Sequence, residues 1–415
     1  MNASVGVLEL DAHGYLIPPI CKLASRADRV TVFTTAEIYR DVGPAISGST
    51  ADSTEWVLKY AAETFGSYLD RVEAICSNEI DVLLVLTPRG TVVESAYFVD
   101  FAPDCATLPI LHVTNFHASS RKLLPDRLAY PIFRTVRTLP VLQALRLLGV
   151  DIIDSWRLLS IVLPYTRTHW DGVIVFYPPV AEHVAESSTL DMPVHSLFPV
   201  VHERCDRESA EREAHDSSRL RVTIPGRVTN VHRAYDLVFD CLEAMGTSGK
   251  EDVELTLLGP PIGASGRRLI ERCRTYNRRG YDVQYFPDDQ WIASSVYEST
   301  LRRSDVLLAP VRLRHEFSGT NVTEFRGVTM TTGNIHDAIH YGIPLLLPHT
   351  FPVDPIISDL VTTYSDEESL ANLLTEFLND STVLVEQRSD AEACASQFGL
   401  ENQQRRFESI VSHFV

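Results

Sequence analysis

Two stretches of the chain carry side chains whose types and spacing suit phosphate chemistry. The first is Thr331-Thr332-Gly333-Asn334-Ile335-His336-Asp337-Ala338-Ile339-His340-Tyr341-Gly342-Ile343-Pro344. Small residues open a short helical pattern. Gly333 lets a ligand approach the backbone, and the first free N–H groups of the helix point at it, which suits a pyrophosphate. Asp337 lies about one turn further in, where a carboxylate could accept hydrogen bonds from a ribose. The second stretch is Pro225-Gly226-Arg227-Val228-Thr229-Asn230-Val231-His232-Arg233. Arg227 and Arg233 stand six residues apart at a strand-to-helix turn and could clamp a diphosphate bidentately. Each stretch also has an ordinary structural explanation. An N-cap, a helix and a C′ glycine account for the first, and the surface arginines of an arginine-rich chain for the second. The loop at 311–333 weighs toward function, because loops that long in compact domains are seldom mere connections.

The elements that must position these residues alternate. Apolar, β-branched runs at 5–10, 29–34, 81–86, 108–114 and 173–176 read as strands, with a helical stretch after Gly14 through Ile20, Leu23 and Ala24 and another near 180–185. Helical spacing also runs over 56–75. A second set begins at 220, with strands at 221–225, 253–258, 283–286, 305–310 and 344–347. Helices are expected at 235–245, 267–279, 291–303, 335–341, 368–378 and 403–413. Strands apolar on both faces and interleaved with helices predict parallel sheets covered on both sides. The expected fold class is α/β, with two Rossmann-like parallel-sheet domains facing across a cleft. The boundaries are an N-terminal domain over 1–202, a charged linker over 203–219, a C-terminal domain over 220–395 and a final helix over 396–415, a candidate to pack back on the N-terminal domain. Ligands of such sheets bind beyond the carboxyl ends of the strands, which directs attention to the loops at 11–18, 87–91, 115–122, 226–233, 259–266, 287–290 and 311–334.

Composition narrows the classes. The 415 residues carry a net charge of −18, so no nucleic-acid partner is expected, since a basic surface supplies nearly all of that affinity. Only four of the 37 basic residues are lysines. This Lys-poor, Arg-rich, acidic balance suggests a salt-adapted source, and codon bias explains it equally well. The seven cysteines are scattered and odd in number, as in a reducing cytoplasm. No run of about 18 apolar residues predicts a membrane span. The segment 119–148 is the exception to the acidic balance. It holds Arg121, Lys122, Arg127, Arg134, Arg137 and Arg146 against Asp126, interleaved with apolar residues. It is a candidate peripheral contact with an anionic membrane face, or a packed helix covered by arginines. The expected location is cytoplasmic, with that contact on the inner face. The chain lacks the P-loop, H-E-x-x-H, G-x-S-x-G and zinc-ligand patterns.

The C-terminal half resembles the nucleotide-binding domain of GT-B glycosyltransferases, most like the retaining family-4 group, over about 221–378. The resemblance rests on Gly226-Arg227 after a strand and Arg233 at the following helix start. Leu257-Leu258-Gly259 ends the next strand, and Ser304-Asp305-Val306-Leu307-Leu308-Ala309-Pro310 and Asp337-Ala338-Ile339-His340-Tyr341-Gly342-Ile343-Pro344 complete it. It implies transfer of a sugar from a nucleoside-diphosphate sugar to an acceptor, with retention. Arg227 and Arg233 would then hold the diphosphate, the Thr332, Gly333 and Asn334 backbone would contact phosphate, Asp337 would bind ribose, and the base would lie near Pro287. Gly226 and Gly259 would shape the donor site. No metal and no cofactor beyond the donor sugar nucleotide are expected, since the GT-A D-x-D is missing. The family pattern has two glutamates at the positions of Thr329 and Asp337, so the first is replaced here, and Glu316 or Glu324 could substitute. His13 stands where inverting members keep a base, and His117 near where retaining members keep an active-site histidine. The other readings are an inverting transferase using His13, a nucleotide-sugar epimerase, and an inactive scaffold or regulatory protein on the same fold.

Overall fold

The computed structural model describes residues 1–10, 13–46, 54–87, 97–112, 114, 166–187, 190–203, 219–288, 290, 292–316 and 322–415. His117, the basic segment 119–148 and all but the ends of the 203–219 linker lie outside the described residues. Contacts divide the chain into two units: 1–199 with 316–330 and 400–415, and 200–315 with 331–399. Among the described residues no helix is long and apolar enough to cross a membrane.

The first unit is built on a seven-stranded sheet in the order β3-β2-β1-β4-β5-β6-β7. The strands are β1 (Ser4–Glu9), β2 (Arg29–Thr35), β3 (Thr54–Lys59), β4 (Val82–Val85), β5 (Ala106–Leu111), β6 (Val173–Val175) and β7 (Val194–Ser196), and every pairing is parallel. The helices are α1 (Ile17–Leu23), α2 (Ala36–Ile46), α3 (Phe65–Glu79) and α4 (Pro178–Glu186). Leu8, Phe33, Tyr68, Val72, Leu83 and Val85 form a core beneath α3. Being covered on both faces explains why the central strands are apolar without alternation. The helix expected over 56–75 is a correction. Thr54–Lys59 pairs with β2 in register, Val32 opposite Trp56 and Phe33 opposite Val57. The helix itself starts after Thr64, whose hydroxyl accepts from the Ser67 N–H at 3.1 Å. The apparent period spanned a strand and a helix, and β-branched and aromatic residues favoured pairing for its first part. Gly43 and Pro44 hid α2 from a sequence reading, although Pro44 sits inside that helix.

The second unit carries six parallel strands in the order β10-β9-β8-β11-β14-β15. They are β8 (Leu220–Pro225), β9 (Val253–Leu258), β10 (Asp282–Tyr285), β11 (Val306–Leu308), β14 (Leu345–Pro348) and β15 (Val361–Tyr364). The long loop at 311–333 holds two short strands, β12 (Arg314–Glu316) and β13 (Thr323–Phe325). The helices are α5 (Tyr235–Ala244), α6 (Thr247–Glu251), α7 (Gly263–Arg278), α8 (Ser294–Arg303), α9 (Gly333–Tyr341), α10 (Glu367–Asn379) and α11 (Ser381–Ser396); α12 (Leu400–Val411) belongs to the first unit. α7 begins four residues before the sequence suggested, because Gly263 and Gly266 disfavour a helix locally while packing against the loop after β8 requires one there. α8 begins at Ser294, three residues after the expected start, and β15 and α11 were not foreseen.

The amino ends of β8 and β11 are tied to α11 through one buried carboxylate. Asp305 is 6% exposed. It accepts from the Arg221 N–H at 2.7 Å, from Arg221 Nε at 3.4 Å and from Arg388 Nη2 at 2.5 Å. Removing one partner of a buried ion cluster leaves uncompensated charge. Asp305→Ala is therefore expected to lower unfolding free energy by about 3 kcal/mol, read from urea denaturation.

Candidate functional site

In the second unit the chain leaves β8 for β9 and β10 on one side, then returns to place β11, β14 and β15 on the other. The switch point therefore lies between β8 and β11, and loops leaving their carboxyl ends part there, as in other doubly wound sheets. The loop after β8 is fixed along both edges. On one side Val228 N–H donates to the Pro260 carbonyl at 2.9 Å, Ile262 N–H to the Val228 carbonyl at 3.0 Å, and Asn230 N–H to Ser265 Oγ at 3.0 Å. On the other, Arg312 N–H donates to the His232 carbonyl at 3.0 Å and Ala234 N–H to the Pro310 carbonyl at 2.7 Å. Close backbone approach makes this possible. A Cβ on Gly259 would fall 2.1 Å from the Gly226 carbonyl oxygen, and one on Gly266 would fall 2.7 Å from that of Val228. Gly226 itself has φ 97°, and a side chain there would meet Arg233 Nη2 at 2.6 Å.

Arg233 lies beneath this loop, 9% exposed. Its Nη2 donates to the Pro225 carbonyl at the end of β8 and to Asn334 Oδ1 at 3.4 Å. Nη1 is buried and makes no hydrogen bond of good geometry among the described residues. Asn334 is buried and completes the arrangement, donating from Nδ2 to the same Pro225 carbonyl at 2.9 Å. Thr332 is the N-cap residue of α9, but its hydroxyl turns to Asn334 Oδ1 at 3.0 Å rather than capping the helix. The opening N–H groups of α9 therefore receive no side-chain cap, and a helix start in that state favours anions. The structure thus brings together Gly226, Arg233, Thr332, Gly333, Asn334 and Gly259 from loops distant in sequence.

Asp337 is part-buried in the middle of α9. Its Oδ2 accepts from Tyr297 Oη of α8 at 3.1 Å. Burial pushes the carboxyl up to about 7, against the opposing pull of the Tyr297 hydroxyl and the Arg233 charge. The same burial and the adjacent carboxylate push the Tyr297 phenol well above its usual range. Sequence reasoning missed Tyr297, though its i, i+4 spacing from buried Leu301 marked it as inward-facing.

Other expected residues are differently placed. Arg227 is exposed at the head of its loop, so it does not share the buried environment of Arg233. Gly333 is exposed with φ outside the left-handed region, and a Cβ there would meet nothing within 4 Å. Neither protein contacts nor its φ require a glycine at that position. Pro287 is exposed just beyond the carboxyl end of β10, the outer strand of the sheet. Thr329 is buried, and its hydroxyl accepts from the Phe325 N–H at 2.7 Å. It belongs to the 316–330 segment that groups with the first unit, and its carbonyl accepts from the Thr114 N–H at 3.0 Å. Of its two candidate substitutes, Glu316 is exposed and Glu324 is fully buried.

The first unit has its own switch point, between β1 and β4, and a polar cluster lies at their carboxyl ends. Glu9, the last residue of β1, is 1% exposed. Thr87, just past β4, donates from Oγ1 to Glu9 Oε2 at 2.5 Å. His13 Nδ1 is 2.8 Å from the same hydroxyl. The His13 ring stacks on that of His112, just past β5, with centroids 3.8 Å apart and planes 11° apart, and Tyr15 meets it edge-on at 5.7 Å. His112 Nε2 lies 3.3 Å from the Leu86 carbonyl. Glu9, Thr87 and His112 were not singled out from the sequence. A lone carboxylate in the apolar run Val-Gly-Val-Leu-Glu-Leu was the signal available.

Gly259→Ala forces the Gly226 loop outward, with an expected loss of about 1–3 kcal/mol, read as a lower midpoint in urea. For Asp337 the sign is set by a raised carboxyl. The stability it contributes is present below an unfolded aspartate's 3.8 and is lost as pH rises through about 7. Asp337→Asn should therefore gain on wild type between pH 4.5 and pH 8 in urea denaturation, and a flat difference would mean Asp337 does not titrate there.

No family model matches the chain, and no curated protein matches it. Among solved structures it is similar to trehalose-6-phosphate synthase OtsA, with a TM-score of 0.57 at 12% identity over 100% of both chains. It is also similar to an alpha,alpha-trehalose-phosphate synthase (UDP-forming) from Burkholderia vietnamiensis, with a TM-score of 0.54 at 12% identity over 100% of this chain and 99% of that one. At such identity the likeness is one of fold. The two all-parallel α/β sheets are those of the GT-B glycosyltransferase architecture.

Proposed function

We propose that the protein is a glycosyltransferase that moves a sugar from a nucleoside-diphosphate sugar to an acceptor hydroxyl. The observation that carries this reading is Arg233. A guanidinium held under a glycine turn at a sheet switch point, beside an uncapped helix start, is a fixed source of positive charge where a diphosphate would leave. The sugar–phosphate bond breaks with positive charge developing on the sugar, the electron pair departs with the diphosphate, and the acceptor oxygen forms the new bond after losing its proton. Arg233 and the start of α9 would stabilise the departing charge without a metal ion, and Asp337 with Tyr297 would face the ribose. Arg227, exposed, would close on the outer side of the phosphates. The first unit would take the acceptor, and the basic segment 119–148 would draw the protein to an anionic membrane face on the cytoplasmic side.

The family-4 resemblance favours retention, in which the acceptor proton goes to the departing phosphate. A second reading, inversion, rests on a separate observation: His13 at the other switch point with Thr87 and the buried Glu9 behind it. There the proton would go to the imidazole.

The test is thermal stability with UDP, GDP, ADP and dTDP, at low and high KCl, for wild type, Arg233→Lys and Arg227→Ala. UDP comes first because the Burkholderia vietnamiensis structure is of a UDP-forming synthase. A nucleotide at 100 times its Kd adds about 2.7 kcal/mol to folding stability. One nucleotide should raise the wild-type midpoint, with the gain lost in Arg233→Lys, because an ammonium cannot reproduce the fork. A folded protein that responds to none of the four at either salt would instead be a scaffold on this fold.

A further inference from the structure

We propose that residues 201–203 form a pH-operated latch on the second unit, held shut by His202 as an imidazolium between the carboxyl end of α9 and Glu392 of α11, and released when the ring loses a proton. The inference stands apart from the transferase reading and needs no ligand.

The His202 ring is enclosed, its side chain 5% exposed. Its Nδ1 lies 3.1 Å from the Ile339 carbonyl and 3.2 Å from that of His340, and its Nε2 lies 3.1 Å from Glu392 Oε1. Backbone carbonyls only accept, and so does an ionised carboxylate. Both ring nitrogens must therefore donate, which only the imidazolium can do. A neutral ring would keep one of its two sides and turn a lone pair on the other. Two further features favour the charged form. The carbonyls belong to the last turn of α9, the negative end of the helix dipole, where a cation is stabilised. Glu392 reaches the ring across a glycine. A Cβ on Gly342 would run into Glu392 Oε2 and lie 3.3 Å from His202 Cε1. Gly342 is also the left-handed C-cap of α9, with φ 61°, so one residue ends the helix and makes room for the ion pair.

The backbone beside the ring is stitched to the same elements. His202 N–H donates to the Phe398 carbonyl at 3.0 Å and Glu203 N–H to the His340 carbonyl at 3.1 Å. His340 Nδ1 donates in turn to the Val201 carbonyl at 2.6 Å. The His340 carbonyl, one of the four that a helix end leaves over, thus takes its hydrogens from this segment. Val200 is the first residue of the second unit, so the latch fixes where the chain enters it. The charged and titratable groups around the ring are Glu392 on α11, His340 and Tyr341 on α9, Glu203 next in the chain, and Arg302 on α8. Glu203 Oε2 lies 3.8 Å from His340 Nε2 and 3.9 Å from Arg302 Nη2. Arg302 stands over the Tyr341 ring at 5.2 Å. Glu392 is the carboxylate that meets His202 itself. When the ring gives a proton to solvent, from either nitrogen, a lone pair comes to face an oxygen on that side. The segment must then let go of α9 or of α11.

The full chain, labelled with ¹⁵N, tests this with two readings on one pH series. Long-range ¹H–¹⁵N correlation follows the His202 ring, assigned by the signal lost in His202→Gln, with His202→Asn in reserve. Amide hydrogen exchange, expressed as protection relative to the unfolded chain, follows the His202 and Glu203 amides. Both ring nitrogens should carry hydrogens on the acid side of the series. Protection of the two amides should fall at least about tenfold as the ring titrates, the effect of one unit of proton linkage. In Glu392→Gln, which keeps the shape and removes the charge, the ring midpoint and the loss of protection should move together to lower pH. Glu392→Ala serves should Glu392→Gln not fold. Protection that holds steady while the ring titrates overturns the latch. A ring with one bare nitrogen at every pH where the protein is folded, or a midpoint unmoved in the Glu392 variants, overturns it as well.

Discussion

A guanidinium buried under backbone is the constraint around which the second unit is arranged. Arg233 is mostly out of water, and a charge in that position must be repaid by hydrogen bonds with good geometry. The repayment comes from the Pro225 carbonyl and Asn334. Pro225 is the last residue of β8, so the strand end sets the height of the charge. Asn334 is the second residue of α9, so the helix start is drawn to the same point. Gly226 must then be glycine for two reasons at once, a left-handed φ and the 2.6 Å left between its missing Cβ and the guanidinium. Gly259 follows in turn, because the loop that covers Arg233 lies directly on its backbone. One buried charge thereby dictates two glycines, one asparagine and the register of three loops.

The first unit meets a comparable problem with the opposite sign. Glu9 is deeper than Arg233, and the Thr87 hydroxyl donates to its carboxylate. A neutral hydroxyl compensates a carboxylate less well than a guanidinium would. In the second unit the pairing of Asp305 with Arg221 and Arg388 does cancel, and it lies at the opposite, amino end of the sheet. The Asp305 cluster ties elements of one sheet together, whereas the Arg233 cluster ends on a buried Nη1 that makes no hydrogen bond of good geometry among the described residues.

Much of the framework was legible because it depends on composition along short runs. β2, β8, β9 and α5 are continuous apolar or clearly periodic segments, and local sequence suffices for them. Gly226, Arg233, Asn334 and Asp337 could be singled out for a related reason, since they sit in two contiguous stretches. What escaped was long-range. Thr54–Lys59 became a strand because β2 offered an edge, and nothing within the segment records that neighbour. Thr87 and Glu9 are 78 residues apart, and a threonine after a strand carries no mark of the carboxylate it will meet. Tyr297 reaches Asp337 across 40 residues in the same way. Arg227 is placed differently from its partner in the sequence. Its spacing from Arg233 suggested a matched pair, but loop geometry buries one arginine and exposes the other.

A net charge of −18 still leaves room for a local positive field, because distance limits what surface charges contribute. Screening limits surface charges to about 8 Å at physiological ionic strength and to about 3 Å at 1 M salt. The acidic surface is thus a short-range object, and shorter still at high salt. Arg233 is buried, and buried charge is screened far less. Asp337, which feels the Arg233 charge, is held up to about 7 by burial, so near neutrality a good part of it is uncharged and does not neutralise the guanidinium. The field at the start of α9 is accordingly set by one arginine and a helix terminus rather than by the sum over the chain. Burial of Arg233 is therefore what allows the surface to vary, and a local positive field can persist beneath an exterior whose overall charge opposes it.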